Sequence, residues 1–507
     1  MPVLAFQKSI LGQDSYTASP SIPLGADSNP ELLHPDTSFN LNTPVRFDPL
    51  TGILSIQGDS RDNILHEAID TQGYYELNLD GLLFSSNFHS EHFTQALAGA
   101  TRDLVTGINF EGGLGHDKLI LDRQSLNQTL SITADDEVDI AGNISSKGDV
   151  NITAAEINLN AKIQANSILF NAASVFNQGE IKTIGSTTIN FADKYTDSVR
   201  SSIFGKKIGI SGGMTGSLEA SGKFVAKEIA LLGKQVSLLG ANIDASGTNG
   251  GGTVLIGGDY QGKGLVKGIV NAQNTVVDKN TVILADALTQ GTGGKVVLWS
   301  DQKTIFEGNI STKGGSQSGD GGFVEVSSKH QLAFAGQVDT GAANGKLGTL
   351  LLDPDDYYIG LDDGNDNTFD ISDLEKINGN LVFSASNNVT INTSANFVDS
   401  TGTITIQADS DGDGFGTVFL NGYIYTGGRN IDISGTNVNI NQIYSGSNNR
   451  AGFINVTAKN EIVTGSIYSS STLGKAGDIT LIAYNRTTCL CGCKWRDCGC
   501  GNANCIW

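Results

Sequence analysis

A short motif recurs along most of this chain and limits the folds that it can adopt. The motif is a segment of alternating polar and apolar residues that ends in alanine, followed by a turn rich in Gly, Asn and Asp. Clear copies end at Ala134, Ala154, Ala172 and Ala192, in steps of 20, 18 and 20 residues. Alternation with a period of two predicts strands with one buried face, and recurrence near 20 residues predicts one unit stacked on itself.

Later copies of the motif extend the pattern towards the C-terminus. They end at Ala385, Ala408, Ala458 and Ala483. Strands of one coil then pair in parallel with those of the next, which confines unpaired edges to the two ends. Sandwich domains would show a period near about 100 residues and propeller blades one of about 40–50. We therefore predict an all-β chain, a right-handed parallel β-helix (β-solenoid) with a small N-terminal β-rich region.

Composition divides the chain into four segments. Residues 1–45 are rich in Ser, Pro, Asp and Asn, which predicts an extended or disordered leader. Residues 46–126 contain short strand-like stretches and form the β-rich N-terminal region. Residues 127–486 are the predicted parallel β-helix shaft, and residues 487–507 are a Cys-rich tail.

Cysteine is confined to that tail. The six cysteines are Cys489, Cys491, Cys493, Cys498, Cys500 and Cys505. A body without cysteine is typical of an exported protein that must avoid chance disulfides. Three interpretations of the tail stay open: disulfides, soft-metal binding through thiolates, or an end foreign to the shaft.

Charge and hydropathy exclude two classes of partner. The chain has a formal net charge of −21, from 32 Lys and Arg against 53 Asp and Glu. Nucleic acid requires a basic face, so no nucleic-acid partner is predicted. No apolar run approaches the roughly 20 residues of a spanning helix, so no membrane span is predicted. An excess of carboxylates does suit hard cations such as Ca2+.

The strongest metal candidate is the run from Asp409 to Gly414. Asp409, Asp411 and Asp413 alternate and glycines follow, which is how an acidic calcium loop begins. The twelfth position of the run is Leu420 rather than the glutamate of an EF-hand, and the flanking segments read as strands. The run is therefore either a Ca2+ site or a solvated acidic turn.

A second calcium candidate is Asp117. Residues 112–120 fit the nonapeptide GGxGxDxUx, with Asp117 as the ligand and Ile120 at the end. Over these nine residues the chain resembles repeats-in-toxin proteins, which implies Ca2+ binding between neighbouring repeats. Only one repeat is present, so an ordinary turn is the alternative interpretation.

Other possible sites give weaker signals. An acidic run follows the Leu351–Pro354 motif and is either a cation site or a solvated loop; its members are Asp353, Asp355, Asp356, Asp362, Asp363 and Asp366. Residues 209–213 match G-x-S-x-G without a strand-to-helix context, and the histidine pair at 89 and 92 lacks zinc-protease spacing. No catalytic residue is predicted, and the chain is predicted not to be an enzyme.

Residues 250–353 carry motifs beyond the period. The motifs are Gly257-Gly258-Asp259-Tyr260, Ala285-Asp286-Ala287, Gly293-Gly294, Trp299-Ser300, Gly314-Gly315, Gly321-Gly322-Phe323-Val324-Glu325-Val326 and Leu351-Leu352-Asp353-Pro354. In this order they resemble the shaft of the filamentous-haemagglutinin family of large exported β-helical surface proteins, especially its cyanobacterial and environmental proteobacterial branch. Trp299 and Phe306 are large enough to fill the interior of such a column. The Asn-Pro-Asn motif of secretion domains is not matched, because Glu31 follows Asn29 and Pro30.

Together these features predict a secreted or cell-surface (outer membrane-associated) adhesin or shaft protein. Its partner would be a cell-surface or matrix polysaccharide or glycoprotein, and the resemblance implies an outer-membrane secretion partner. The alternatives are a carbohydrate-active β-helix enzyme, either a polysaccharide lyase or a hydrolase, and a structural surface or biofilm filament. A concave outer face with converging acids and a strongly perturbed carboxylate would favour the enzyme.

Overall fold

The computed structural model describes residues 43–264, 270–359, 368–369, 371–397, 402–489 and 503–506. Most of the predicted leader, most of the Cys-rich tail and the three aspartates Asp362, Asp363 and Asp366 lie outside these residues. The described chain consists almost entirely of strands and turns. Its strands form one 36-stranded sheet and one 10-stranded sheet.

One row of strands, which we call ladder 1, extends along the whole described chain. Each member pairs in parallel with the next. The members are Ile53–Gln57, Gly107–Glu111, Leu130–Ala134, Val150–Thr153, Ile168–Asn177, Ser186–Asp197, Lys207–Ser211, Glu228–Leu232, Thr253–Ile256, Lys295–Leu298, Phe323–Val326, Thr349–Leu352, Asn380–Ser384, Ile404–Gln407, Ile431–Ser447, Ile454–Ser471, Ile479–Ala483 and Ala503–Ile506.

A second row, ladder 2, follows ladder 1 in each coil. Its first stretch comprises Ile64–Ile69, Lys118–Leu121, Glu137–Ile140, Glu156–Leu159, the ends of Ile168–Asn177 and Ser186–Asp197, Ser217–Ala220, Gln235–Leu238, Asn274–Val277, Lys303–Phe306 and Gln331–Phe334. Its second stretch comprises Tyr357–Ile359, Thr368–Phe369, Val389–Ile391, Thr417–Tyr425, the middle of Ile431–Ser447 and of Ile454–Ser471, and Arg486–Cys489.

A third row, ladder 3, completes the coil. The 10-stranded sheet comprises Gln124–Leu126, Ile144–Ser146, Lys162–Ala165, Glu180–Thr183, Ser202–Phe204, Lys223–Val225, Asn242–Asp244, Val282–Leu284, Asn309–Ser311 and Gln337–Asp339. Further along, Ala395–Asn396 pairs with the end of Thr417–Tyr425, which pairs in turn with later parts of Ile431–Ser447 and Ile454–Ser471. The chain is therefore all-β, with long parallel sheets that are consistent with a β-solenoid.

The interior of this column is one continuous apolar core that extends from Val45 to Ala483. In the register between coils, Ile132 pairs with Ile152, Ile152 with Phe170 and Phe170 with Ile189. All four side chains are buried, while their strand neighbours point outward, as the alternating pattern predicts. The predicted interior position of Phe306 is confirmed, since its ring is fully buried in this core and lies 5.3 Å from that of Phe334.

The N-terminal end of the column is covered by antiparallel strands. Val45–Asp48 pairs with Ile53–Gln57, and Ile64–Ile69, Tyr75–Leu79 and Leu82–Ser85 form an antiparallel meander. Such pairing covers the edge that the first coil would otherwise leave exposed. Parallel pairing nevertheless includes Gly107–Glu111, so it occurs on both sides of the predicted boundary at residue 127.

Helical structure is short in the part of the chain that the structure describes. One α-helix spans Ile371–Leu374, and 3-10 helices span Gln95–Leu97 and Tyr260–Gly262. No helix among the described residues is long and apolar enough to cross a membrane.

One predicted core residue lies elsewhere. Trp299 is nearly buried, but it packs with Leu255 and Val297 in a small separate cluster outside the column. The prediction for Trp299 was wrong because Leu298 points into the core and strand alternation turns the next side chain outward. A large apolar residue at this position needs a cover on the outer face, and a long turn provides it.

Candidate functional site

A groove follows one corner of the column, along the turns after ladder 1 in successive coils. It has a volume of about 650 Å3. We call it the turn groove, and its lining residues are Gln261, Gly262, Lys263, Asn271, Gln273, Trp299, Asp301, Gln302, Lys329, His330, Asp353, Asp355, Ser386, Ser410 and Asp411. The groove thus includes part of the Asp409–Asp413 loop and part of the acidic run that the sequence singled out.

The groove exists because one turn is much longer than its neighbours. In one coil, residues 257–273 connect Thr253–Ile256 to Asn274–Val277. In the next coil, the corresponding strands Lys295–Leu298 and Lys303–Phe306 are connected by residues 299–302 alone. The described part of this long turn lies against Trp299. A Cβ on Gly262, whose φ is +58°, would stand 2.3 Å from Trp299 Cε2, so only glycine allows this close approach.

Gln261 fastens the long turn to two later coils. Its backbone N–H donates to Glu325 Oε1 at 2.9 Å, and its side-chain Nε2 donates to Asp353 Oδ2 at 2.7 Å. The turn closes on itself where Asn271 Nδ2 donates to the Gly262 carbonyl oxygen at 3.0 Å. One wall of the groove is therefore held by hydrogen bonds to carboxylates rather than by the ladders.

Glu325 is buried and Asp353 is half-buried. The pKa of Glu325 is raised to about 8, mainly by burial, and the charge of nearby Asp353 contributes to this rise while the Gln261 N–H opposes it. Glu325 Oε2 has no hydrogen-bond partner among the described residues. Burial likewise raises the pKa of Asp353, which lines the groove itself. Such perturbed carboxyl groups are typical of binding and catalytic sites, although structural networks also produce them.

The opposite part of the groove holds a histidine–aspartate pair. His330 Nδ1 lies 2.8 Å from Asp355 Oδ2, and Ser386 Oγ donates to Asp355 Oδ1 at 3.1 Å. A carboxylate accepts hydrogen bonds, so His330 Nδ1 is the donor in this contact. The pair is about half exposed and hence accessible to a ligand.

The floor adds further polar groups. Trp299 Nε1 and Asn271 Nδ2 each donate to Asp301 Oδ1 at 3.0 Å. Lys263 and Lys329 provide ammonium groups in the same groove. The groove therefore presents carboxylates, ammonium groups, amides and a hydroxyl side by side, which is the chemistry that hydrogen-bonds a polyhydroxylated ligand.

The structure brings Asp409, Asp411 and Asp413 together. One carboxylate oxygen from each lies within 4.8 Å of the others, and among the described residues only this group has the proximity that a metal ion requires. The loop depends on tight turns, since φ is +57° at Asp409, +79° at Gly412 and +92° at Gly414. Asp411 and Asp413 are exposed, whereas Asp409 is buried.

The Asp409 carboxylate already has protein partners. Its Oδ2 accepts from Lys459 Nζ at 2.6 Å and from Thr436 Oγ1 at 2.7 Å, and its Oδ1 accepts from the Gly414 N–H at 3.0 Å. Burial acts to raise the pKa of Asp409, but these hydrogen bonds outweigh it and lower the pKa. Oxygen ligands suit Ca2+, but the ion would have to compete with the Lys459 ammonium group.

Asp117 lies far along the column from this group. It is buried, its Oδ1 accepts from the Asn63 N–H at 2.8 Å, and its own N–H donates to Asp136 Oδ2 at 3.0 Å. Burial raises its pKa, and the charges of Asp135 and Asp136 add to this effect. Neighbouring coils do supply acids here, yet Asp117 joins no metal-like group in the described structure. Ca2+ binding at Asp117 stays a prediction.

Several groove residues gave no signal in the sequence. Gln261, Asp301 and His330 come from different turns, and only the fold makes them neighbours. One clue was present, because the distance from the strand at 253 to the next alternating segment is unusually long. The motif at 209–213 gains no support, since Ser211 Oγ accepts from the Gly213 N–H at 3.4 Å within an ordinary turn.

No protein-family model matches the chain, and no curated protein is significantly similar to it. Function is therefore inferred from the fold and the turn groove.

Proposed function

We propose that this protein is a secreted or cell-surface adhesin that attaches to polysaccharide or glycoprotein through the turn groove. The observation that carries the proposal is the convergence of carboxylates, ammonium groups and amides in one groove on a rigid column. Its volume of about 650 Å3 lies within the roughly 300–1,000 Å3 typical of ligand sites. A groove fixed by stacked strands is pre-organised, which lowers the entropic cost of binding a flexible chain.

The finer features of the proposal follow from the same fold. We propose that the column is a right-handed parallel β-helix, because crossover connections between parallel strands are almost always right-handed. Motif similarity to filamentous haemagglutinins supports export with an outer-membrane secretion partner. Many copies on a surface would bind one polymer together, so that weak contacts add through avidity.

Cleavage of the bound glycan is a second candidate function. Asp353 lines the groove and burial raises its pKa, which favours the protonated form that can donate a proton, and the His330–Asp355 pair can act as a base. In hydrolysis, Asp353 would protonate the glycosidic oxygen as the bond to the anomeric carbon breaks. Water deprotonated by His330 would supply the new oxygen on that carbon.

One experiment separates the two candidates. The purified protein is incubated with a panel of polysaccharides, with calcium or with chelator, and both retention and newly formed sugar ends are measured. We expect retention without new ends, and a loss of retention in the Lys329→Ala and His330→Ala variants. Lys279→Ala is the matched control, since Lys279 is exposed on a different turn.

Each outcome assigns the groove a different role. New sugar ends that disappear in Asp353→Asn, while retention persists, would establish cleavage instead of attachment alone. Retention that is equal in all variants would remove the turn groove from the proposal. Failure to retain any polysaccharide would contradict the adhesin and favour a structural filament.

A further inference from the structure

Three tyrosines stand in register on the outside of ladder 3, near the C-terminal end of the described column. Tyr425 pairs with Tyr444, and Tyr444 pairs with Tyr468, so that each coil contributes one ring. We call this row the tyrosine ladder. It lines a cavity of about 400 Å3 on a different face of the column from the turn groove.

The central ring lies against the backbone of a glycine in its own strand. A Cβ on Gly446 would lie 2.8 Å from both Cζ and Oη of Tyr444, so the outer end of the ring lies over the bare backbone of that glycine. Ser470 Oγ donates to the Tyr444 hydroxyl at 3.2 Å and fixes this outer end. Tyr444 is therefore held in place and is only partly buried where it lines the cavity.

The flanking rings extend this surface. Tyr425 is 40% exposed and Tyr468 is 49% exposed. The Tyr425 and Tyr444 ring centroids are 5.8 Å apart with an interplanar angle of 56°. The pair is thus tilted and not stacked, and the exposed fractions of Tyr425 and Tyr468 leave ring surface available to a ligand. Aromatic side chains with an open face and a polar edge are typical of binding surfaces.

The residues that line this cavity are tyrosine, isoleucine, serine and glutamine, and none is charged. The turn groove differs in this respect, since four aspartates and two lysines line it. A charged polymer would lose water here without gaining an ion pair, whereas a neutral ligand has no such cost. Flat apolar rings beside hydroxyl and amide groups match pyranose sugars, which have apolar C–H faces and hydroxyl edges.

We propose that the tyrosine ladder is a second binding site, specific for neutral polysaccharides whose sugar rings pack on Tyr425, Tyr444 and Tyr468. The site does not depend on the turn groove or on its proposed function. Because the tyrosines repeat once per coil, a linear glycan can follow the column axis with successive contacts. Immobilisation of Tyr444 before binding reduces the ordering that the complex requires.

The test is affinity electrophoresis in gels that contain hydroxyethylcellulose or laminarin, with alginate as the charged comparison. We expect the wild-type protein to be retarded by a neutral glucan more than by alginate. Tyr444→Ala removes the central ring, and Gly446→Ala keeps the ring but places a Cβ against it and against the Ser470 carbonyl oxygen, so that both must shift. We expect each to weaken binding about tenfold, as loss of one aromatic contact predicts.

Three controls keep the test specific. Tyr444→Phe retains the ring and should bind almost as wild type, and Tyr484→Ala alters a tyrosine that is 76% exposed outside the ladder. Lys279→Ala alters an exposed lysine outside both sites and should leave retardation by neutral glucans unchanged. Far-UV circular dichroism verifies that each variant is folded.

Specific outcomes would overturn the proposal. Retardation that is absent for every neutral glucan, or that is equal in Tyr444→Ala and wild type, contradicts a sugar site. Self-association that Tyr444→Ala abolishes in analytical ultracentrifugation, without glucan retardation, would assign the face to a second copy of the chain. Retardation by neutral glucans that is lost in Lys329→Ala but kept in Tyr444→Ala would return the activity to the turn groove.

Discussion

The column interior and the turn groove belong to the same stacked coils, but strand residues form the first and turn residues form most of the second. Inside the column, every second side chain joins one apolar core, and a coil differs little from its neighbours. In the groove, the important residues come from turns, and one long turn at 257–273 makes the difference between coils. Regularity therefore builds the scaffold, and the local departure from regularity builds the candidate site.

Each region contains a buried glutamate, and the two have different surroundings. Glu67 points into the column, where Gln124 Nε2 donates to its Oε2, and burial raises its pKa to about 8. Glu325 points outward and is buried because the long turn covers it, with Gln261 as its hydrogen-bond donor. The same perturbed carboxyl group thus arises from column packing in one region and from a removable cover in the other.

The largest expected effect separates stability from binding. Phe306→Ala removes a fully buried ring that packs beside Phe334, and we expect a loss of about 3–5 kcal/mol in the free energy of unfolding. Lys329→Ala should change that free energy by less than about 0.5 kcal/mol while it reduces polysaccharide retention. Urea unfolding and the retention assay measure the two quantities.

Phe415→Ala is the matched control, because Phe415 is 75% exposed and its loss should leave stability nearly unchanged. If Phe306→Ala reduced retention per folded molecule while Lys329→Ala did not, the separation between scaffold and site would fail.

The scaffold could be predicted from the sequence because its signal is local. Alternation and the alanine corners follow from backbone geometry: Ala134 and Ala154 are buried at strand ends, and Ala172 is buried where the register shifts inside Ile168–Asn177. Trp299 shows the limit of such prediction, because its hydrophobicity does not reveal whether it is buried in the column core or under a turn on the outer face of the strand. The long turn that covers it is visible in the sequence only as a break in the repeat.

The candidate site was predictable only in part. Asp409, Asp411 and Asp413 are close in sequence, so their proximity in space was foreseen. Lys459, the charge partner of Asp409, lies two coils further along and had no recognisable spacing. Gln261 and Asp353 are likewise 92 residues apart in sequence. Contacts between coils depend on the lengths of the intervening turns, which vary too much to be counted from the motif.

The second prediction concerns pH and compares the two glutamates. The folded state keeps a proton on Glu325 up to about pH 8, whereas the ordinary pKa of the group is 4.5. As pH rises, the unfolded state therefore releases this proton first. The contribution of Glu325 to stability should be fully present below pH 4.5 and should be lost as pH rises from 4.5 to about 8. Compared with the wild type, we expect the free energy of unfolding of Glu325→Gln to be higher at pH 8 than at pH 5, by about 3 kcal/mol.

Glu67→Gln tests the buried glutamate of the column interior in the same way, since the pKa of Glu67 in the folded state is also raised to about 8. Thermal unfolding from pH 4.5 to pH 9 measures both variants. Gln261→Ala removes the side-chain bond of the long turn to Asp353 and keeps the backbone bond to Glu325. The less tightly held turn should admit water to Glu325 and reduce its share of the pH dependence, but it should leave the share of Glu67 intact. An equal response of both glutamates to Gln261→Ala would contradict the distinction between column packing and a removable cover.

The smallest expected effect concerns the Asp409 loop and calcium. Lys459→Met leaves the Asp409 carboxylate buried without its ammonium partner, and because Lys459 is half exposed we expect a loss of about 1–2 kcal/mol. The same change removes the cation that competes with Ca2+, so calcium should bind the variant more tightly than the wild type and recover part of the lost stability. Calorimetric titration and thermal unfolding, each with calcium or chelator, measure these effects.

The double variant Lys459→Met with Asp411→Asn should lose the calcium response, because Asp411 supplies an exposed ligand. A calcium response that persists without Asp411, or none in Lys459→Met, would identify the loop as a structural acidic turn whose charge partner is Lys459.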